Sequence, residues 1–134
     1  MLIETDVLLA AVNPKDPARG SALKVLNHEA LSLSPFSLLE VNLLARAGKL
    51  EIKEFGNFAN DLSALFDSCS IRTLHDRPKY HSEARRLESE FRLSFFDSLH
   101  TAVSKVEREI IVSFDRAYDK LGKEGVKRLD PTEL

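Results

Sequence analysis

This 134-residue chain is poor in cysteine, poor in glycine and without a long apolar run, and each scarcity removes a class of protein. Cys69 is alone, which excludes an intrachain disulfide and a thiolate zinc cluster and leaves a buried, inert thiol as its expected state. The five glycines are scattered, and there is no glycine-rich phosphate loop, no Gly-x-Ser-x-Gly elbow and no paired His and Cys. Nucleotide-binding folds, nucleophilic hydrolases and thiol enzymes are therefore excluded. No apolar segment approaches the roughly 20 residues of a membrane span. Met1-Leu2-Ile3 runs straight into a strand pattern without a basic n-region, a long apolar h-region or a cleavage site, so a soluble, cytoplasmic chain is expected. Charge of one sign is lacking as well. A net charge of −2 argues against a strongly basic surface, so any nucleic-acid contact must be local. Arg46, Lys49, Arg85, Arg86, Arg116 and Lys120 are candidates for a basic rim, against the alternative that they are solvated helix faces.

The length fits one domain over residues 1–134 with a sizeable core. Short apolar runs alternate with amphipathic segments, which is the α/β pattern. Strands are expected at Met1–Thr5, Leu31–Ser34, Ser70–Leu74, Ile110–Phe114 and Val126–Leu129. The continuous apolar run at Ile110–Phe114 suits a central parallel strand covered on both faces. Asp16 and Pro17 read as the cap and first turn of a helix reaching Leu26, and Ser34-Pro35 opens another that ends at Gly48. The stripe Ile52, Phe55, Phe58, Ala59, Leu62, Leu65 and Phe66 predicts a helix paired with the preceding one as a hairpin. Tyr80, Ala84, Leu87 and Phe91 mark the next helix, and a last one starts near Phe96 or Asp97.

Acids stand where these elements begin or end: Glu4-Thr5-Asp6, Glu40, Asp97 and Ser113-Phe114-Asp115. In open parallel sheets functional groups gather beyond the carboxyl ends of the strands. Carboxylates converging there would hold a hard divalent cation for phosphodiester chemistry. Each acid also has a local explanation. Ser37-x-x-Glu40 and Ser94-x-x-Asp97 match the capping-box pattern, and Asp115 could cap a short helix. Glu40 is the hardest to treat that way, because Phe36, Leu38, Leu39, Val41, Leu43 and Leu44 make its helix apolar nearly all round. A carboxylate in such surroundings needs a cationic partner from elsewhere in the fold, and a metal ion would neutralise several acids at once. The histidines lack ligand spacing; His100, one turn after Asp97, reads as packing or solvent-exposed.

These motifs, in this order, resemble the PIN-domain ribonucleases, in particular the toxins of VapBC-type toxin–antitoxin modules. The resemblance rests on Glu4-Thr5-Asp6-Val7-Leu8, Leu38-Leu39-Glu40-Val41, Leu93 to Ala102 around Asp97, and Val112-Ser113-Phe114-Asp115-Arg116 with a Gly-Val-x-x-Leu ending at Leu129. It implies a three-layer α/β/α sandwich on a central, mostly parallel sheet of about five strands. It also implies an acidic site for Mg²⁺ or Mn²⁺, RNA as substrate, an antitoxin partner and a two-fold homodimer. Glu40, Asp97 and Asp115 carry over as ligands or as acceptors for metal-bound water, and Ser113 as a hydrogen-bonding neighbour of a carboxylate or a water.

The first motif departs from the family, since the residue before the threonine is usually Asp and here is Glu4. On a strand, residues 4 and 6 share a face, so Asp6 could serve in its place. Mg²⁺ demands near-ideal octahedral geometry at about 2.0 to 2.1 Å, so an extra methylene matters. Three outcomes are open: Glu4 works with an adjusted metal, Asp6 takes over, or the site binds metal poorly. In the last case the chain is a weakened PIN-like scaffold that binds RNA or a protein partner. A receiver domain also uses acids at strand ends, but the paired acids after the first strand and the terminal lysine it needs are missing. Phe55, Phe58, Phe66, Tyr80 and Phe91 suggest surplus apolar surface, hence self-association.

Overall fold

A computed structural model describes all 134 residues. In chain order the elements are β1 (Leu2–Ile3), α1 (Thr5–Val12), α2 (Arg19–Leu26), β2 (Leu31–Leu33), α3 (Ser37–Arg46), α4 (Phe55–Ser68), β3 (Ile71–Thr73), α5 (Pro78–Phe91), α6 (Phe95–Glu107), β4 (Ile111–Val112) and β5 (Arg128–Leu129). A 3₁₀ segment, Arg116–Glu124, joins β4 to β5, and a short one follows at Pro131–Glu133.

The five strands form one parallel sheet in the order β3-β2-β1-β4-β5. Strand alternation divides the core. Leu2 and Ile111 face a cluster built from Tyr80, Ala84, Leu87, Leu99, Val103, Tyr118 and Leu121. Ile3, Val112, Leu31 and Leu33 face the opposite one, with Val7, Leu8, Ala22, Val25 and Leu26. α5, α6 and the 3₁₀ segment thus cover one face, and α1 and α2 the other, giving three layers. Because all strands run the same way, the exits of β1 and β4, at Glu4 and Ser113, lie along one edge. No helix is long and apolar enough to cross a membrane.

Several local expectations change. β1 stops at Ile3, and Thr5–Val12 is helical because the Glu4 side chain accepts the Asp6 N–H as an N-cap. Glu4 and Asp6 therefore do not share a strand face; Asp6 sits in the first turn of α1. α2 starts later than expected: Asp16 accepts the Ala18 N–H in a turn, and the helix begins at Arg19. α3 and α4 each make their main helix contact with α1 rather than pairing as a hairpin. Glu40 is not enclosed by an apolar helix, since Leu38, Leu39 and Leu43 face solvent. Of the five aromatic residues expected at the surface, Tyr80 is buried and only Phe55 is among the exposed large apolar residues; the apolar surplus lies on α3 and at Phe95. Cys69 is half-buried, packed at the border of the second cluster.

The 3₁₀ segment is fastened by charge. Glu83 on α5 meets Arg86 at 2.6 Å and Lys105 of α6 at 2.8 Å, and both cations reach Glu124, at 2.5 and 2.6 Å. Hydrogen bonding, from Arg86 first and Lys105 next, holds the Glu83 carboxyl down at about 2. A depressed carboxyl contributes stability above its unfolded value of about 4.3, and that contribution disappears as pH falls through the folded value. We expect Glu83→Gln to cost about 1 kcal/mol at pH 7, a small figure because Arg86 is solvent-screened, and nothing near pH 2. Denaturation midpoints measured at the two pH values check it; an equal loss at both would assign the effect to packing.

Candidate metal centre

The sheet's carboxyl edge collects acids from four separate segments. β1 delivers Glu4, which is buried, with Oε2 accepting the Asp6 N–H at 3.1 Å. Thr5, first residue of α1, turns its hydroxyl to Glu40 in the first turn of α3, Oγ1 donating to Oε2 at 2.5 Å. α6 supplies His100, wholly buried, whose Nε2 stands 2.7 Å from the same Glu40 oxygen and 3.6 Å from Glu4 Oε1. Glu4, Glu40 and His100 each present one potential ligand atom, all within 4.8 Å of one another.

Asp6 is engaged differently. Its Oδ2 accepts the Ser113 hydroxyl and the Phe114 N–H, both at 2.8 Å, which ties the first turn of α1 to the exit of β4. Ser113 Oγ in turn accepts the Asp115 N–H at 3.0 Å. Asp115 itself is exposed and caps the 3₁₀ segment, Oδ1 accepting the Ala117 N–H at 2.8 Å. Asp97 opens α6, its N–H donating to the Ser94 hydroxyl, while Oδ1 accepts from Tyr118 at 3.3 Å. The capping box is thus half-formed at Asp97 and absent at Glu40, whose α3 has no side-chain cap. The buried Tyr118 hydroxyl is held far above its usual range by desolvation and then by Glu4, Asp97, Asp6 and Glu40.

Negative charge is uncompensated here. None of Glu4, Asp6, Glu40, Asp97 and Asp115 pairs with a lysine or arginine, and His100 is the one basic side chain in contact. Burial first, then the Asp6 and Glu40 charges, raise the Glu4 carboxyl well above the ordinary carboxylate range. Burial likewise raises Asp6, against the donors on its Oδ2. Asp6 Oδ1 is buried without any partner. Clustered oxygen donors, an orphaned carboxylate atom and no competing cation fit a divalent metal ion. His100 was the residue least readable in the sequence; its one signal was the single helical turn separating it from Asp97. Of the expected basic rim, Arg86 is committed to Glu83, Glu90 and Glu124, whereas Arg46, Lys49, Arg85 and Arg116 are exposed and form no ion pair.

Residues 1–124 match a family model described as PIN domain. No curated protein sequence matches the chain. Among solved structures, PAE2754 from Pyrobaculum aerophilum superposes with a TM-score of 0.67 at 20% identity, over 98% of this chain and 89% of that one. VapBC2 from Rickettsia felis, bound to a DNA fragment from its promoter, gives 0.69 at 15% identity and 96% of both chains. A toxin–antitoxin complex from Klebsiella pneumoniae gives 0.64 at 17%, over 97% and 96%. At such identities the likeness is one of fold.

The raised Glu4 carboxyl has a signed consequence for the metal-free protein. Its folded value exceeds the unfolded value of about 4.3, so ionisation opposes folding: the penalty is absent below that pH and complete once pH exceeds the folded value. Glu4→Gln should therefore raise the metal-free Tm at pH 7.5 by several degrees and leave it unchanged near pH 4. Thermal melts in chelator across that range check it, and a gain that does not depend on pH would remove charge as the cause.

Proposed function

The chain belongs to the PIN domain family, and from that premise we propose that it is a metal-dependent endoribonuclease that hydrolyses RNA at the acidic edge of its sheet. The observation that carries the proposal is the convergence of buried Glu4 with half-buried Glu40, with no lysine or arginine to neutralise them. Glu4, Glu40 and Asp97 would hold Mg²⁺ or Mn²⁺, with Asp115 at the rim as an acceptor for ordered water. A cation bound there supplies charge neutralisation at a phosphate and a more acidic water. The chain's own groups do the rest. Thr5 orients Glu40, Tyr118 orients Asp97, and the Asp6–Ser113–Asp115 relay keeps the β4 exit against α1. Arg116, next to Asp115, together with Arg46, Lys49 and Arg85, would meet the RNA backbone.

Glu4 takes the role of the first acid in this reading. Each acid has one oxygen without a donor, Asp6 Oδ1 and Glu4 Oε1, but Glu4 groups with Glu40 and His100, whereas two donors on Oδ2 tie Asp6 to the exit of β4. The toxin–antitoxin complex among the structural relatives supports a toxin role with an antitoxin protein as partner, and a cytoplasmic place of action belongs to the same reading. Exposed Leu38, Leu39 and Leu43 on α3, and Phe95, support a homodimer. A second reading, a weakened scaffold that binds RNA or a protein, draws on one observation: Glu4 stands where the family usually has Asp, with Oε2 spent on the Asp6 N–H.

Cleavage of a labelled RNA with Mg²⁺ or Mn²⁺ should fall by about 100-fold or more in Glu40→Gln and in Asp97→Asn, and be kept or raised in Glu4→Asp. Activity lost in Asp6→Ala while Glu4→Gln stays active would transfer the role to Asp6. A wild type inert with every metal would favour the scaffold. Sedimentation at micromolar concentration should show a species of twice the 15.1 kDa chain mass. A single species at one chain mass excludes the dimer.

A further inference from the structure

One oxygen of Glu40 has two polar neighbours. Thr5 Oγ1 donates to Oε2 at 2.5 Å, and His100 Nε2 lies 2.7 Å from that atom. A carboxylate oxygen has two lone pairs, so if the ring also donates, Oε2 is saturated and Oε1 is left as the oxygen free for a cation. Glu4 repeats the pattern: Oε2 takes the Asp6 N–H, and Oε1, at 3.6 Å from His100, lies beyond hydrogen-bond reach of the ring.

The other side of the imidazole decides what His100 does. A histidine that ligates through Nε2 must carry its proton on Nδ1, and ligating histidines give that proton to a carbonyl or carboxylate, which fixes the tautomer. His100 Nδ1 is buried and has no partner. The ring is wholly buried and stacks on Phe96, with centroids 6.3 Å apart. Ligation would therefore strand a buried N–H donor and also remove the hydrogen bond to Glu40. With the proton on Nε2, the hydrogen bond is made and Nδ1 keeps only an acceptor lone pair beside an aromatic ring.

From this geometry we infer that His100 is a positioning residue and not a metal ligand: its Nε2–H holds Glu40 Oε2 and leaves an all-oxygen donor set for the cation. The inference rests on the metal-centre reading above. Its consequence is chemical class. Oxygen-only donors suit Mg²⁺ and Mn²⁺, whereas an imidazole in the set would favour zinc, iron or nickel. A second consequence is mechanical, because the hydrogen bond ties α3 to α6 one turn after Asp97 and sets the two acids relative to each other.

Calorimetric titration of Mn²⁺ into the full-length wild type, His100→Gln and His100→Leu tests it, together with pulsed EPR of the bound Mn²⁺. Glutamine returns an N–H donor near the place of Nε2, and leucine does not. We expect His100→Leu to lose about 10- to 100-fold in affinity, His100→Gln to keep most of it, and the wild-type spectrum to show no directly bound nitrogen. A nitrogen coupling in the wild type that vanishes in His100→Gln would make His100 a ligand and overturn the inference. Equal affinity in all three proteins would reduce the residue to packing. Either result leaves the metal centre itself standing, whereas a wild type that binds neither Mn²⁺ nor Mg²⁺ removes the centre and the inference together. If His100→Leu does not fold, the wild-type spectrum and the affinity of His100→Gln carry the test.

Discussion

Negative charge gathered in a small volume without arginine or lysine is the constraint on which the acidic edge depends. Two glutamates from the exit of β1 and the start of α3, with Asp6 and Asp97 beside them, would repel one another if left to themselves. Every group set against them is a neutral or weakly basic donor: the Thr5, Ser113 and Tyr118 hydroxyls, the His100 ring and backbone N–H groups. Such donors orient carboxylates without cancelling their charge. A lysine in the same place would satisfy the acids permanently and compete with a dication. The unfavourable state is sustained because the two apolar clusters flanking β1 and β4 stabilise the edge independently of it.

Away from that edge, several charges are paired in local networks. Glu83, Arg86, Lys105 and Glu124 form one network, which Arg86 extends to Glu90, Arg77 and Tyr80 share Glu107, and Arg128 bridges Asp119 and Asp130. Two of these sets act on the 3₁₀ segment that carries Tyr118 and follows Asp115. The paired charges thus hold in place the segment that borders the acidic edge, and the near-neutral total conceals acids gathered there without a lysine or arginine partner.

Much of the fold was legible. The apolar run around Ile111 and the helical spacing of Tyr80, Ala84 and Leu87 are local patterns that report burial whatever lies opposite, and the sheet and α5 follow them. The failures lie where a polar side chain changed the local outcome. Glu4 reads as the end of a strand, yet by capping the Asp6 N–H it starts a helix and moves Asp6 off the face where alternation would put it. Leu38, Leu39 and Leu43 read as core, yet α3 leaves them in solvent.

The sequence by itself determined the α/β layering, much of the apolar core and the set of acids at strand exits and helix starts, because periodicity and capping are properties of neighbours in the chain. Only the tertiary structure decided which acids meet. Glu40 finds Thr5 35 residues away and His100 60 residues away, and Asp6 finds Ser113 at a separation of 107. A buried charge takes whatever donor packing brings within hydrogen-bond reach, and that distance is set by how helices close over the sheet, which no local pattern records.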